Sequence, residues 1–255
     1  MQFRQRMLAL LVPAALSAMP FVSAARADLV LETETAQLGK QGTFATSAAV
    51  QMERERNGGY TYLTLNQFEY AITDRAEILV EPFFYEWSNP KDGPSFQGVG
   101  DLEITPSYMI VEEKKWIPAL VAAFKVKVPM ATNRNIGTGE FDYQPFLIVG
   151  KTYGPWVFNF NIGYDFVTSP NDEPLKDQWI SDFSVEYIIR ENWSVYFETF
   201  YNSSPARGEK ETLSFAVATE YRLSDHWNVF VSLGDDTDGL ITARTGFNYE
   251  IGFGK

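Results

Sequence analysis

Cysteine is absent from this chain of 255 residues, histidine occurs once, and basic residues are outnumbered, 21 against 33 acids. The first absence excludes a disulfide framework. Together with the single histidine it leaves no ligand set for a zinc site, and no cofactor is expected. The acidic balance, a formal charge of −12, argues against nucleic acid as a partner, since that binding depends on basic surface. Beyond Val22 there is no run of about 20 uncharged apolar residues, so no membrane helix is expected. Leucine-rich helical periodicity is missing as well.

The N-terminus reads as an export leader. Arg4 and Arg6 open it, Met7 to Val22 is apolar, and Ala25-Arg26-Ala27 is an A-x-A cleavage site. Residues 1–27 are therefore expected to be removed as a signal peptide, leaving 28–255 as one domain that starts at Asp28. Loss of Arg4, Arg6 and Arg26 takes the formal charge from −12 to −15.

What the chain has in abundance is aromatic residues and glycine: 20 Phe, 13 Tyr, 6 Trp and 18 Gly. The clearest stretch is Trp156 to Phe166. Trp156, Phe158, Phe160, Ile162, Tyr164 and Phe166 point one way; Asn159, Asn161, Gly163 and Asp165 point the other. Strand side chains alternate faces with a period of two, so this is a ribbon with one aromatic and one polar face. A soluble sheet keeps its outer face polar.

The pattern recurs. Phe44 to Glu53, Tyr60 to Ile72, Glu77 to Trp87, Gly98 to Val111, Trp116 to Pro129 and Phe141 to Lys151 precede it; Trp179 to Arg190, Trp193 to Tyr201, Leu213 to Arg222, Trp227 to Leu233 and Arg244 to Phe253 follow. In the third ribbon Ile78, Val80 and Phe84 share a face; alternation is untidy around Leu63 to Asn66. Short turns interleave with mostly longer polar loops such as 88–97, 130–140 and 168–177. The prediction is an all-β transmembrane antiparallel up-and-down β-barrel of about twelve strands, in the outer membrane of a Gram-negative-type bacterium.

Tryptophan tests this register. Trp116, Trp156, Trp193 and Trp227 each follow a short turn, at the expected periplasmic rim, while Trp87 and Trp179 flank long loops. Sorted aromatic girdles belong to membrane barrels. Arg244-x-Gly246-x-x-Tyr249-x-Ile251, with Phe253 beyond, is similar to the C-terminal signal read by the barrel-assembly machinery. Partners are then that machinery, outer-membrane lipid and lipopolysaccharide, and a small-molecule solute, with the barrel a monomer.

The faces opposite the aromatics carry Glu77, Glu81, Asp101, Glu103, Lys125, Lys127, Asp182, Glu186, Glu198, Glu220, Arg222, Arg244 and Glu250. They read either as a pore lining or as ion pairs bracing a filled lumen, because barrels of about eight strands are filled while sixteen leave a channel. An acidic lining disfavours anions. Lys125 and Lys127 facing Glu81, Asp101 or Glu103 across the lumen form the candidate constriction. Catalysis is not expected: the lone His226 lies in a turn beside Ser224 and Asp225, and adjacent turn residues rarely converge as a triad. Asp235 to Gly239 lacks the ligand spacing of a calcium loop.

Gly98-Val-Gly-Asp-Leu-Glu-Ile104 leading to Tyr108, Phe124-Lys-Val-Lys-Val-Pro129, Gly137-Thr-Gly-Glu-Phe-Asp-Tyr143 and Gly150-Lys151 resemble the outer-membrane barrel family named after the meta-pathway of phenol degradation. The resemblance implies an exported transporter barrel for small solutes, aromatic or hydrophobic compounds among them, and brings no catalytic residues. The expected function is diffusion of such solutes. The alternatives are a structural or adhesive barrel with a plugged lumen and working outer loops, or a soluble exported β-sandwich.

Overall fold

The computed structural model describes residues 29–252, apart from 57, 83, 171–174 and 207. The leader, Asn57 of the first hairpin turn, part of the 168–177 loop and Phe253 lie outside the described residues. Fourteen strands account for nearly all of the secondary structure: β1 (Thr43–Glu55), β2 (Tyr60–Thr73), β3 (Ala76–Glu81), β4 (Tyr85–Asn89), β5 (Phe96–Val99), β6 (Leu102–Val111), β7 (Ala119–Val128), β8 (Asp142–Tyr153), β9 (Trp156–Asp165), β10 (Gln178–Arg190), β11 (Trp193–Asn202), β12 (Thr212–Arg222), β13 (Trp227–Asp236) and β14 (Leu240–Gly252).

All pairings are antiparallel and follow chain order. β1 closes the sheet by pairing with both β14, from Thr43↔Gly252 to Glu55↔Leu240, and β2. β3 and β4 both pair with β2, and β5 continues the line of β6, so each of these couples is one interrupted stave. The result is a closed barrel of twelve staves, with no edge left open.

Its outside is apolar all the way round. Val50, Tyr108, Phe160, Val217, Val231 and Leu233 are exposed at mid-wall. An apolar belt of that extent does not persist in water and belongs in a bilayer. Trp156, Trp193 and Trp227 open β9, β11 and β13 at the short-turn rim. Trp87 stacks on Tyr62, and Trp179 meets Tyr164 edge to face, toward the long-loop rim. Trp116 differs from the expectation. Pro118 delays β7, so Trp116 sits inside the connection 112–118 and is 81% exposed, three residues before the strand.

The third stave also departs from simple alternation. Between Phe68↔Val80 and Thr64↔Tyr85, β2 advances four residues while its partner advances five. The extra residue reverses which side chains face inward. Glu77, Leu79 and Glu81 therefore point in below the break, while Phe84 and Ser88 point in above it. The expectation that Phe84 shares a face with Ile78 and Val80 is overturned. Leu63 and Asn66, ambiguous in sequence, fall on a strand whose alternation is regular, with Gln67, Glu69 and Ala71 buried and Phe68, Tyr70 and Ile72 exposed.

Candidate functional site

The lumen is occupied by the chain's own N-terminal segment. Residues 29–42 form no strand; they run up inside the barrel from the foot of β1. At the short-turn end the Gln41 amide donates to Asp74 Oδ1 at 2.8 Å and Gly39 to Glu77 Oε2 at 3.2 Å. Higher up, Ala36 and Glu34 donate to Asn159 and Asn161, and Asn161 Nδ2 returns a bond to the Glu34 carbonyl at 2.9 Å. Glu198, 3% exposed, accepts from the Glu32 and Thr33 amides at 3.0 and 2.5 Å and from the Thr33 hydroxyl. Arg244 caps the segment: Nη1 donates to the Leu29 carbonyl at 2.9 Å, Nε to Gln51 at 2.6 Å, and Nη2 pairs with Glu32.

Two apolar patches on the inner wall receive it. Ala36 and Leu38 pack against Ala119, Val121, Phe146 and Ile148; Leu29 and Val30 pack against Ala49, Tyr196, Ala218 and Phe230. Gly150 allows the approach, since a Cβ there would lie 2.5 Å from Ala36 Cβ. Residues 29–42 carry no alternation of their own that would mark them in the sequence. The detectable signal was β7, where Ala119, Val121 and Ala123 are apolar on the inner face although Leu120, Ala122 and Phe124 are already apolar outside. A strand apolar on both faces has something packed on each.

The segment's hydrogen bonds from Leu29 to Ala36 run to β9, β11 and β14, and it leaves a cavity of about 480 Å³ beside it, toward the long loops. Leu29, Leu31, Glu32, Thr33 and Glu34 form its floor, Ile136, Gly137 and Thr138 of the 129–141 loop its roof, and β1 to β3, β6 and β7 its wall. Lys125 Nζ lies 2.7 Å from Glu103 and 3.3 Å from Glu81. Lys127 pairs with Asp142, lies 3.8 Å from Asp101 and donates to Thr138 at 3.2 Å. Asp101 in turn accepts from the Met130 and Ala131 amides, which ties the loop down. These pairs run along the wall, between adjacent staves or, for Lys125 and Glu81, across one intervening stave, and not across the lumen as expected. Side chains on adjacent strands stand about 5 Å apart, within reach of a lysine, so the near carboxylates capture it first.

Arg244 holds the Glu32 carboxyl below its ordinary range, against the opposing effect of burial. Burial, then the nearby Glu81, pushes Glu34 up to about 8.

The wall beside this cavity is interrupted. Leu65 to Gln67 of β2 lie where its pairing passes from β3, which ends at Glu81, to β4, which begins at Tyr85, next to the break Gly100–Asp101 between β5 and β6. Pro82 lacks the amide needed to continue the ladder. The Gly100 amide donates to the Phe84 carbonyl at 2.8 Å across this region. The Phe84 ring covers Gly100 so closely that a Cβ there would lie 2.4 Å from it. Asn66 is on the outward register of β2 yet borders the cavity, and Pro82 and Phe84 border it too.

The remaining expected residues divide. Glu186 and Glu220 face in and accept from the Tyr196 hydroxyl at 3.3 and 2.8 Å, and Asn248 adds a bond to Glu220. Asp182 is buried on the inner face, and Glu250 is half-buried near the short-turn end. Arg222, the last residue of β12, is exposed at the rim. His226 Nδ1 meets the Glu250 carbonyl at 2.8 Å, while Ser224 Oγ accepts from the His226 and Trp227 amides at 3.3 Å. In the acidic turn Asp235 pairs with Arg56, Asp236 Oδ1 accepts from Gly239 and Leu240, and Asp238 accepts from Thr212. Its carboxylates are committed to local bonds.

The closed twelve-stave wall, the apolar belt and the rim aromatics define a barrel of the outer-membrane kind. The chain belongs to the family described as the MetA-pathway of phenol degradation, whose model matches residues 30–249 and so takes in the luminal segment. Its fold is similar to that of an outer membrane channel from Pseudomonas putida F1, at 13% identity and a TM-score of 0.66, over 87% of this chain and 100% of that one. It is also similar to the KdgM porin solved in complex with disordered oligogalacturonate (12%, TM-score 0.54, 80% and 98%). A third is the translocator domain of the autotransporter NalP from Neisseria meningitidis (8%, 0.52, 83% and 89%). No curated protein matches the chain.

Proposed function

We propose that this barrel is an outer-membrane conduit for small solutes that have an apolar body, aromatic compounds among them. The observation that carries the reading is the cavity: it lies between the long-loop roof, the luminal segment and the interruption in the wall. The segment stands in the ion path, and the interruption offers an apolar solute a way sideways past Phe84. Family membership and the channel and porin among the similar folds support the reading. The barrel works as a monomer, since every stave finds both partners within the chain, and is inserted by the barrel-assembly machinery. Cleavage after Ala27 would set the new amino terminus one residue from Leu29, whose carbonyl Arg244 holds.

The test compares initial uptake of benzyl alcohol by porin-poor cells that make the barrel with uptake by cells that lack it, alongside single-channel recording of the refolded protein. Faster uptake with a low ionic conductance is expected. Equal uptake would overturn the reading and favour a plugged structural or adhesive barrel, for which the dense bonding of the luminal segment is the supporting observation.

A further inference from the structure

Gln67 carries information that the wall does not require. It is 7% exposed and borders the cavity. Its Nε2 donates to Glu81 Oε1 at 2.9 Å, which fixes the orientation of the amide. That leaves Gln67 Oε1 buried without a hydrogen-bond partner, while Glu81 Oε2 beside it is met only by the ion pair to Lys125 Nζ at 3.3 Å, with no hydrogen bond of its own. A buried acceptor left unmet is costly, and native structures rarely tolerate one without a reason. Gln67 Oε1 lacks a donor altogether, and Glu81 Oε2 has only the Lys125 ammonium.

The cations of the cavity are already committed. Lys125 is held by Glu81 and Glu103, Lys127 by Asp101 and Asp142, and Arg244 by Glu32 and Gln51. An incoming carboxylate would find no free positive group and would face the acids that hold them. Leu31, Leu65, Pro82 and Phe84 supply an apolar side to the same space. A cavity of about 480 Å³ is within the usual range of small-molecule sites.

We propose that the outer cavity binds a small solute that presents a hydrogen-bond donor, hydroxyl or ammonium, on an apolar body, with Gln67 and Glu81 accepting from its head group and carboxylate solutes refused. The inference rests on the conduit reading for its role in the cell, but binding is measured separately from passage.

Isothermal calorimetry on the folded full-length barrel in detergent, corrected for detergent alone, would use four probes built on one ring: benzyl alcohol, benzylamine, toluene and benzoate. Benzyl alcohol or benzylamine is expected to bind about tenfold more tightly than toluene, the worth of one well-placed hydrogen bond to a buried acceptor. Benzoate is expected to bind least. The stronger of the first two tells whether the head group is hydroxyl or ammonium. Gln67→Met should lower the donor probe to the level of toluene and leave toluene unchanged. Equal affinity for all four, benzoate as the tightest, or no binding by any would overturn the inference. The ranking on the unaltered protein decides even if the variant fails to fold. A ranking that holds while uptake fails would keep the site and remove the conduit; uptake that persists while the ranking fails would do the reverse.

Discussion

The walls on the two sides of the lumen are built from the same alternating pattern and behave differently. From β9 to β14 the register is nearly continuous, and the inner face presents Asn159, Asn161, Glu198 and Arg244 as docking groups for the N-terminal segment. From β2 to β6 the ladder breaks twice at one height, and the inner face borders a cavity instead. The regular wall holds a plug because its bonds are spent on geometry that repeats. The broken wall has backbone to spare and space where side chains would otherwise interlock. Sealing and passage are thus given to opposite sides of one barrel.

Two glycines break or sharpen that contrast most strongly. A Cβ at Gly246 would lie 2.3 Å from the Ala48 carbonyl oxygen of the adjoining strand, and backbone cannot swing aside. Gly246→Ala is expected to cost about 3 kcal/mol, the upper end for overpacking, and to sharply reduce the heat-modifiable folded form on gels. Gly100→Ala meets the Phe84 ring first, a side chain that can turn away into the cavity. It should fold normally and be read out instead as a change in the affinity or uptake of benzyl alcohol. If both variants fold alike, the two walls do not differ in compliance.

Removing residues 29–38 deletes the plug but no strand. Planar-bilayer recording should then show steady ohmic steps where the intact barrel is nearly closed, with cation preference from the exposed carboxylates. Unchanged conductance would mean that something else seals the lumen. Gly150→Val makes a smaller change of the same kind: its side chain would collide with Ala36 and unseat one turn of the segment, raising open probability without creating a permanent pore.

The smallest effect is that of pH. Glu34, held near 8 by burial and by Glu81, with Glu77 and Glu32 adding to it and Lys125 opposing, is mostly protonated at neutral pH. A raised carboxyl value favours the seated segment fully below about 4.5, and that contribution is lost as pH rises to about 8. Brief openings should therefore be more frequent at pH 8.5 than at pH 6, and Glu34→Gln should flatten the trend. An opposite slope would place the controlling group elsewhere.

Much of this was legible in advance. Period-two alternation from Phe44 to Ile251 gives the number of staves and the face of nearly every inward charge, because a strand has only two sides. Trp156, Trp193 and Trp227 mark the rim because an indole is most stable where apolar and polar surroundings meet. The third stave was misread at Phe84, because a single inserted residue changes facing without changing composition. Lys125 and Lys127 meet the acids expected, Glu81, Glu103 and Asp101, but along the wall and not across the lumen, since sequence fixes the side a residue faces but not the distance around the barrel at which it finds a partner. The cavity was not legible at all, because it exists only where interruptions in two successive staves fall at one height and the luminal segment stops short of them.

The sequence by itself determined a closed, acidic, disulfide-free barrel with an aromatic outer belt, because local alternation and turn chemistry suffice for that. Tertiary structure alone decided what fills it. Residues 29–42 have no periodicity of their own and take their path from Asn159, Asn161, Glu198 and Arg244, groups that lie 123 to 215 positions away along the chain and meet only after the barrel has closed.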